Sequence, residues 1–184
     1  MRRTPPTPRD PDGIGGYEPP ALRSAALVDK PVENPPESAA MATAFDVAQY
    51  ILEKCGPMSA MKLQKLVYYA QAWSLVWDDA PLFSNRIEAW ANGPVVRDLY
   101  ATHRGLFMVD AKTFAPQAVG TLSNDQKETI DAVLQAYGDK SPQWLSDQTH
   151  AEGPWRTARA GLAEGERGEH EIPLASMSEY YSAL

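Results

Sequence analysis

Along this chain, apolar residues show no period through the first forty positions and a clear one thereafter. From Thr43 onward, Ala48, Ile51, Leu52 and Cys55 repeat at helical spacing until Gly56-Pro57 interrupts them. Thr43 suits the N-cap, and Asp46 three residues later suits its reciprocal partner. Cys55 then falls on the buried stripe. A second helix is predicted after Ser59, with Leu63, Leu66, Val67, Ala70, Trp73 and Trp77 on one face. Its Gln64, Lys65, Tyr68 and Gln71 turn towards the other face. On that reading Trp73→Ala costs about 3–5 kcal/mol, as for any buried large aromatic, whereas Gln71→Ala is neutral.

Asp78-Asp79-Ala80-Pro81 breaks this helix, and Ile87-Glu88-Ala89-Trp90 alternates like a short strand before Asn92-Gly93-Pro94 turns the chain. A hairpin or small edge sheet is expected there. Pro94 suits the first turn of a further helix carrying Val95, Val96, Leu99 and Tyr100, closed by Gly105. Phe107 to Val119 is aperiodic and reads as a loop with one short strand. Ser123 and Gln126 form a capping box for a helix whose stripe is Ile130, Val133, Leu134 and Tyr137, stopped by Gly138. Ser141-Pro142 opens another helix with Trp144, Leu145 and Thr149, Pro154-Trp155 starts a short one, and Leu174 to Leu184 is amphipathic. The Gly- and Glu-rich run 161–171 reads as a solvated loop.

The expected fold is therefore mainly α: a compact helical domain over residues 41–184 with a small β hairpin or short sheet. Residues 1–40 precede it as a disordered, Pro-rich tail holding nine of the sixteen prolines. Two readings of that tail stay open: a genuine tether, or an extension upstream of a true start at Met41.

Composition narrows the function. The 184 residues carry a net charge of -7 and a pI near 4.9, a field that repels phosphate backbones. Five Trp and eight Tyr provide enough apolar surface for a core without disulfides. Cys55 stands alone, which excludes an intramolecular disulfide and any multi-cysteine zinc site. No stretch approaches the roughly 18 apolar residues of a membrane span, and no apolar run follows Arg2-Arg3, so a cytoplasmic protein without a membrane partner is expected.

No catalytic constellation assembles at readable spacing in the sequence. His150 and Glu152 form an H-x-E, but the P-C-x-x-C that zinc deaminases need downstream is missing, so His150 reads as structural. His103 is placed to cap carbonyls at a helix end, and His170 lies in the charged loop. Adjacent Asp78 and Asp79 point apart. Gly13-Ile14-Gly15-Gly16 has neither the preceding strand nor the following helix of a phosphate loop. Lys62 and Lys65 read as a half-solvated helix face, not a nucleic-acid patch. No catalytic residue, metal or cofactor is expected, and nucleic acid is not an expected partner.

The helix Met61-Lys62-Leu63-Gln64-Lys65-Leu66-Val67-Tyr68-Tyr69-Ala70-Gln71-Ala72-Trp73, then Pro81-Leu82-Phe83 and Ile87-Glu88-Ala89-Trp90-Ala91-Asn92-Gly93-Pro94-Val95-Val96, closely resembles the Panacea domain. The likeness continues through Leu99-Tyr100, Tyr137-Gly138 and Leu145-Ser146-Asp147-Gln148-Thr149-His150-Ala151-Glu152-Gly153-Pro154-Trp155, and covers about Thr43 to Leu184. The resemblance implies a helical antitoxin with a small β element. It also implies two partners, because the family includes SocA-type adaptors: a SocB-like toxin, and the ClpXP protease to which such adaptors deliver it. Composition and spacing by themselves indicate only a helical binding domain.

Seven residues are toxin-binding candidates, each with a second reading. Trp90, Asn92, Gly93 and Pro94 either set an irregular turn or shape a groove wall. Gln64, Tyr68 and Gln71 are either a solvated helix face or donors into an interface. Two rival functions also stay open: a DNA-binding autoregulator of its own operon, and an antitoxin that only masks its toxin.

Because residues 1–40 carry no apolar face, deleting them should leave the cooperative thermal transition of the domain in place. Thermal unfolding of a chain starting at Met41 checks this, and loss of most of the transition would move the boundary.

Overall fold

In the computed structural model, residues 42–184 are described, and the expectations for the Pro-rich tail and for Met41 lie outside them. Helix α1 (Ala44–Cys55) starts where Thr43 and Asp46 form the reciprocal capping box. Asp46 also accepts the N–H of Gly120 at 2.8 Å, tying this cap to a distant loop. Ala44, Val47, Ala48, Ile51 and Leu52 carry the buried stripe. Cys55, expected in the core, is exposed, because the stripe's last position runs past the packed part of the helix.

Strand β1 (Met58–Ser59) leads directly into helix α2 (Ala60–Trp77), whose first turn is capped by the Ser59 hydroxyl accepting from the Lys62 N–H. The expected two-faced helix is not what forms. Every residue from Leu63 to Leu75 is buried, because α1, α5, α6, α8 and strand β3 pack around α2 on all sides. Gln64, Lys65, Tyr68 and Gln71 are thus inside the protein, not on a solvated face. Burying polar groups is costly unless each finds a partner, and here the partners are backbone groups of neighbouring segments. Gln71 Oε1 accepts the N–H groups of Leu82 and Phe83 at 2.8 and 3.1 Å, and its Nε2 donates to the Phe83 carbonyl. Gln64 Oε1 accepts the Val96 N–H, and its Nε2 donates to the Val96 carbonyl. Lys65 Nζ donates to the Pro94 carbonyl at 3.1 Å.

Asp79, at φ 51, ends the α2 segment as expected. The hairpin pairs β2 (Ile87–Trp90) with β3 (Gly93–Val96) in the register Ile87↔Val96, Glu88↔Val95, Ala89↔Pro94 and Trp90↔Gly93. Pro94 therefore sits in a strand and not in a helix's first turn. Ala89 turns its own N–H and carbonyl outward, to the His170 carbonyl and to Arg159, so opposite it the N–H that proline lacks is not needed by the ladder. Helix α3 (Arg97–His103) begins only after Val96.

Between α3 and α5 the expected loop with one strand holds β4 (Met108–Val109), paired with β1, and also a one-turn helix α4 (Ala111–Phe114) capped by Asp110 and Thr113. Helix α5 (Asn124–Tyr137) has the predicted Ser123–Gln126 box and buries Thr129, Ile130, Ala132, Val133 and Tyr137. Helices α6 (Pro142–Ala151), α7 (Gly153–Ala158) and α8 (Leu174–Ser182) follow as expected. The loop 161–171 is largely exposed, but Arg159 anchors it by donating to the Ala163 and Glu166 carbonyls. No helix among the described residues is long and apolar enough to cross a membrane.

The buried clamp reverses one expectation. Gln71→Ala should destabilise by about 3 kcal/mol, because it strands three desolvated backbone groups. Trp73→Ala should cost about 3–5 kcal/mol, since its ring is buried, stacks on Trp77 and donates to the Tyr137 hydroxyl. Urea unfolding measures both; an unchanged midpoint for Gln71→Ala would refute the clamp.

Candidate functional site

The N-terminal half of α2, the β2–β3 turn, α3 and the 165–169 loop enclose an open groove of about 900 Å³. Gln64 and Lys65 form its floor, Trp90 and Asn92 one wall, and Arg97, Tyr100 and Arg104 another. Three of the seven candidates, Gln64, Trp90 and Asn92, therefore share one cavity. Gly93 and Pro94 are buried behind the turn, and Tyr68 and Gln71 lie in the core away from the groove.

The turn is held from several directions. Trp155 Nε1 on α7 donates to the Trp90 carbonyl at 2.9 Å, and Ser146 Oγ on α6 donates to the Asn92 carbonyl at 3.0 Å. The Trp90 indole N–H donates to Glu88, and its ring packs edge-on against Tyr100 with centroids 4.6 Å apart. Gly93 is at φ +104, a region that disfavours any side chain, and a Cβ there would lie 2.6 Å from Lys65 Cε and 2.9 Å from Thr149 Oγ1. Of the four turn residues, Trp90 and Asn92 line the groove, while Gly93 and Pro94 hold the turn behind it.

Burial dominates the electrostatics of the floor. Lys65, enclosed and without a carboxylate partner among the described residues, is lowered to about 7. His103, expected to cap a helix end, instead turns inward, its Nε2 2.9 Å from Gln64 Nε2. Burial lowers its pKa, which keeps the ring neutral and leaves Nε2 free to accept that hydrogen bond.

One turn further along α2 lies a second polar cluster that the local pattern does not reveal. Glu152, 3% exposed, accepts hydrogen bonds from the hydroxyls of Tyr69 and Tyr181 and from Gln148 Nε2. Because the single Tyr181 proton goes to Glu152, the Tyr68 hydroxyl donates to the Tyr181 oxygen, and Tyr69 stacks on Tyr137. Burial raises the Glu152 carboxyl to about 7, against the lowering effect of its hydrogen bonds. Burial pushes the hydroxyls of Tyr68, Tyr69 and Tyr181 well up, and Glu152 adds to it. His150 and Glu152, adjacent in the H-x-E pattern, do not converge: His150 stacks on Trp155 at 4.0 Å while Glu152 points into the tyrosine cage. The cage pins α2, α6 and α8 together.

Residues 63–156, slightly more than half of the chain, match the family described as Antitoxin SocA-like, Panacea domain. The chain belongs to this family. No curated protein matches it, and no solved structure does. The Panacea span starts in the buried part of α2 and ends just past Glu152, so it contains the groove floor, the hairpin and most of the tyrosine cage. Tyr181 of the cage, and Arg167 and Glu169 of the groove, lie beyond it. Arg97, Tyr100, Arg104 and Arg167 were missed as site residues. For the first three a signal existed, since they recur at helical spacing.

Glu152 gives this Panacea domain a specific pH dependence. Its folded-state pKa of about 7 lies above the ordinary 4.5, so the folded protein holds a proton that the unfolded chain has released. Stability from this group is full below about 4.5 and is lost as pH rises to about 7, by about 3 kcal/mol in all. His103 and His150, both lowered, work in the opposite direction, so the comparison is with Glu152→Gln. Subtracting the variant's unfolding free energies from those of the parent between pH 4.5 and 7.5 should leave a difference falling with pH. A flat difference would refute the assignment.

Proposed function

We propose that this antitoxin binds its cognate toxin, a SocB-like protein, in the groove beside the β2–β3 turn, and serves as an adaptor that delivers the toxin to the ClpXP protease in the cytoplasm. The chain itself catalyses no reaction in this scheme. The observation that carries the proposal is the wall formed by Trp90 and Asn92: an aromatic ring and a polar side chain at the mouth of an open cavity, on a turn fixed by Trp155 and Ser146. A surface ordered in advance loses little entropy on binding, and aromatic anchors at a pocket carry much of an interface's energy. Of the seven candidates, Trp90 and Asn92 are assigned to contact, while Gln64 holds β3 at the floor, Gly93 and Pro94 shape the turn, and Tyr68 and Gln71 belong to the core.

Masking and delivery predict different fates for the toxin. A masking antitoxin holds toxin by mass action and leaves its amount unchanged; an adaptor raises the toxin's effective concentration at the protease. The DNA-binding alternative is favoured only by the arginines of the groove, and salt-dependent binding to the operon's promoter would reveal it.

Co-expression with the product of the adjacent reading frame should relieve growth arrest. With purified ClpXP and ATP, the toxin's half-life should fall only when this protein is present, and this protein should survive to act again. Trp90→Ala should weaken toxin binding roughly thirtyfold, the equivalent of about 2 kcal/mol. An unchanged half-life despite tight binding would replace delivery by masking, and an unchanged affinity for Trp90→Ala would move the toxin site elsewhere.

A further inference from the structure

The charge of the groove runs against the charge of the molecule. The chain carries -7 overall, yet Lys65, Arg97, Arg104 and Arg167 line the cavity against one carboxylate, Glu169. Glu169 is paired with Arg167 at 2.7 Å. Arg97 faces Glu88, which is 1% exposed and shared with Arg86. Arg104 has no carboxylate partner among the described residues, and Lys65 is committed to the Pro94 carbonyl. A cationic lining of this kind, within an acidic surface, attracts a complementary negative group and repels most of the alternatives.

Its spacing specifies more. Arg97, Tyr100 and Ala101 lie on α3, Arg104 caps its C-terminus, and all four line the groove. Seven residues of helix place the two arginines about 10 Å apart, with Tyr100 between them. In an extended chain of the polyproline II type, with three residues per turn and a rise of about 3.1 Å, that distance separates side chains three residues apart on the same face. The backbone positions of the two cations are thus strung along the helix axis. Beyond Arg104 the lip of the groove is Leu106 and Phe107, which are 50% and 80% exposed, followed by Met108 at 51%. Consecutive large apolar side chains standing in water mark a contact surface.

We propose that the groove binds an extended acidic segment of the toxin, with two carboxylates about three residues apart meeting Arg97 and Arg104 and an apolar side chain resting on Phe107. This rests on the reading of the groove as the toxin site and adds the chemistry of what enters it. Arginine suits the task because its planar fork pairs with a carboxylate through two hydrogen bonds. Duplex nucleic acid suits the site less well, because the cavity is small, its lip is apolar and the surrounding protein is acidic.

The test uses the full chain and fluorescein-labelled peptides of about ten residues, with two aspartates three apart followed by a leucine. A twin peptide carries asparagine at both positions, and a single-stranded oligonucleotide of similar charge serves as competitor. Fluorescence anisotropy should show the aspartate peptide binding at least about tenfold more tightly than its twin. Arg104→Glu should abolish that difference, and Phe107→Ser should weaken both peptides alike. Arg156→Glu, an equal charge change on exposed α7 outside the groove, should leave the difference intact. Equal binding of the two peptides, no binding of either, or displacement by the oligonucleotide more readily than by unlabelled peptide would overturn the proposal. Toxin binding is measured separately: an Arg104→Glu protein that keeps full affinity for toxin sinks the acidic-segment proposal while sparing the antitoxin reading, whereas a parent protein that binds peptide but no toxin sinks the antitoxin reading and, with it, the toxin as the source of the segment.

Discussion

The structure depends on polar side chains of one buried helix satisfying backbone edges that no strand covers. The Leu82-Phe83 segment and the outer edge of β3 both lie against α2, out of reach of water, where each unmade backbone hydrogen bond costs free energy. Gln71 supplies the first with two acceptances and one donation, and Gln64 and Lys65 supply the second. A glutamine amide has the donor and acceptor of a peptide group, so each clamp does locally what an extra strand would do. This lets α2 be enclosed on all sides without leaving polar groups stranded.

The same arrangement makes the groove. Because Lys65 and Gln64 fix β3 from below, while Ser146 and Trp155 fix the turn from behind, Trp90 and Asn92 are held at the mouth of the cavity. Gly93 is where these constraints meet, with Lys65 and Thr149 too close to leave space for a side chain. The wall of the groove is fixed by the same hydrogen bonds that hold the fold. Around this wall the arginines reverse the sign of the overall charge, so long-range repulsion of polyanions and local attraction of a short acidic segment exist in one molecule.

The tyrosine cage around Glu152 shares α2 and α6 with the groove. Lys65 and Tyr69 are one helical turn apart on α2, and Thr149 and Glu152 lie close together at the end of α6. The groove floor and the cage therefore share their supports, and a change in how α6 meets α2 would be felt at both. A buried carboxylate with hydroxyl donors but no cation costs stability at neutral pH, and the domain tolerates it while using it to join α2, α6 and α8.

The local elements were legible in the sequence, because their signals lie within a few residues of one another. Capping pairs such as Thr43 with Asp46 and Ser123 with Gln126, the stops at Asp79 and Gly138, and the Ile87–Trp90 strand all formed where their patterns placed them. The Panacea motif was legible too. Hidden from the sequence was which polar residues would be inside. Gln64 bonds to a residue 32 positions away and Tyr69 to one 83 positions away, and no local period reports such partners. A helix with apolar residues on one face and Gln, Lys and Tyr on the other reads as half-solvated until other elements close over it. Pro94 likewise reads as a helix start until the register of β2 and β3 shows that its missing N–H is not needed. Local sequence thus determined where elements begin and end, whereas burial, the groove and its charge were decided by tertiary packing, because each depends on groups brought together from distant parts of the chain.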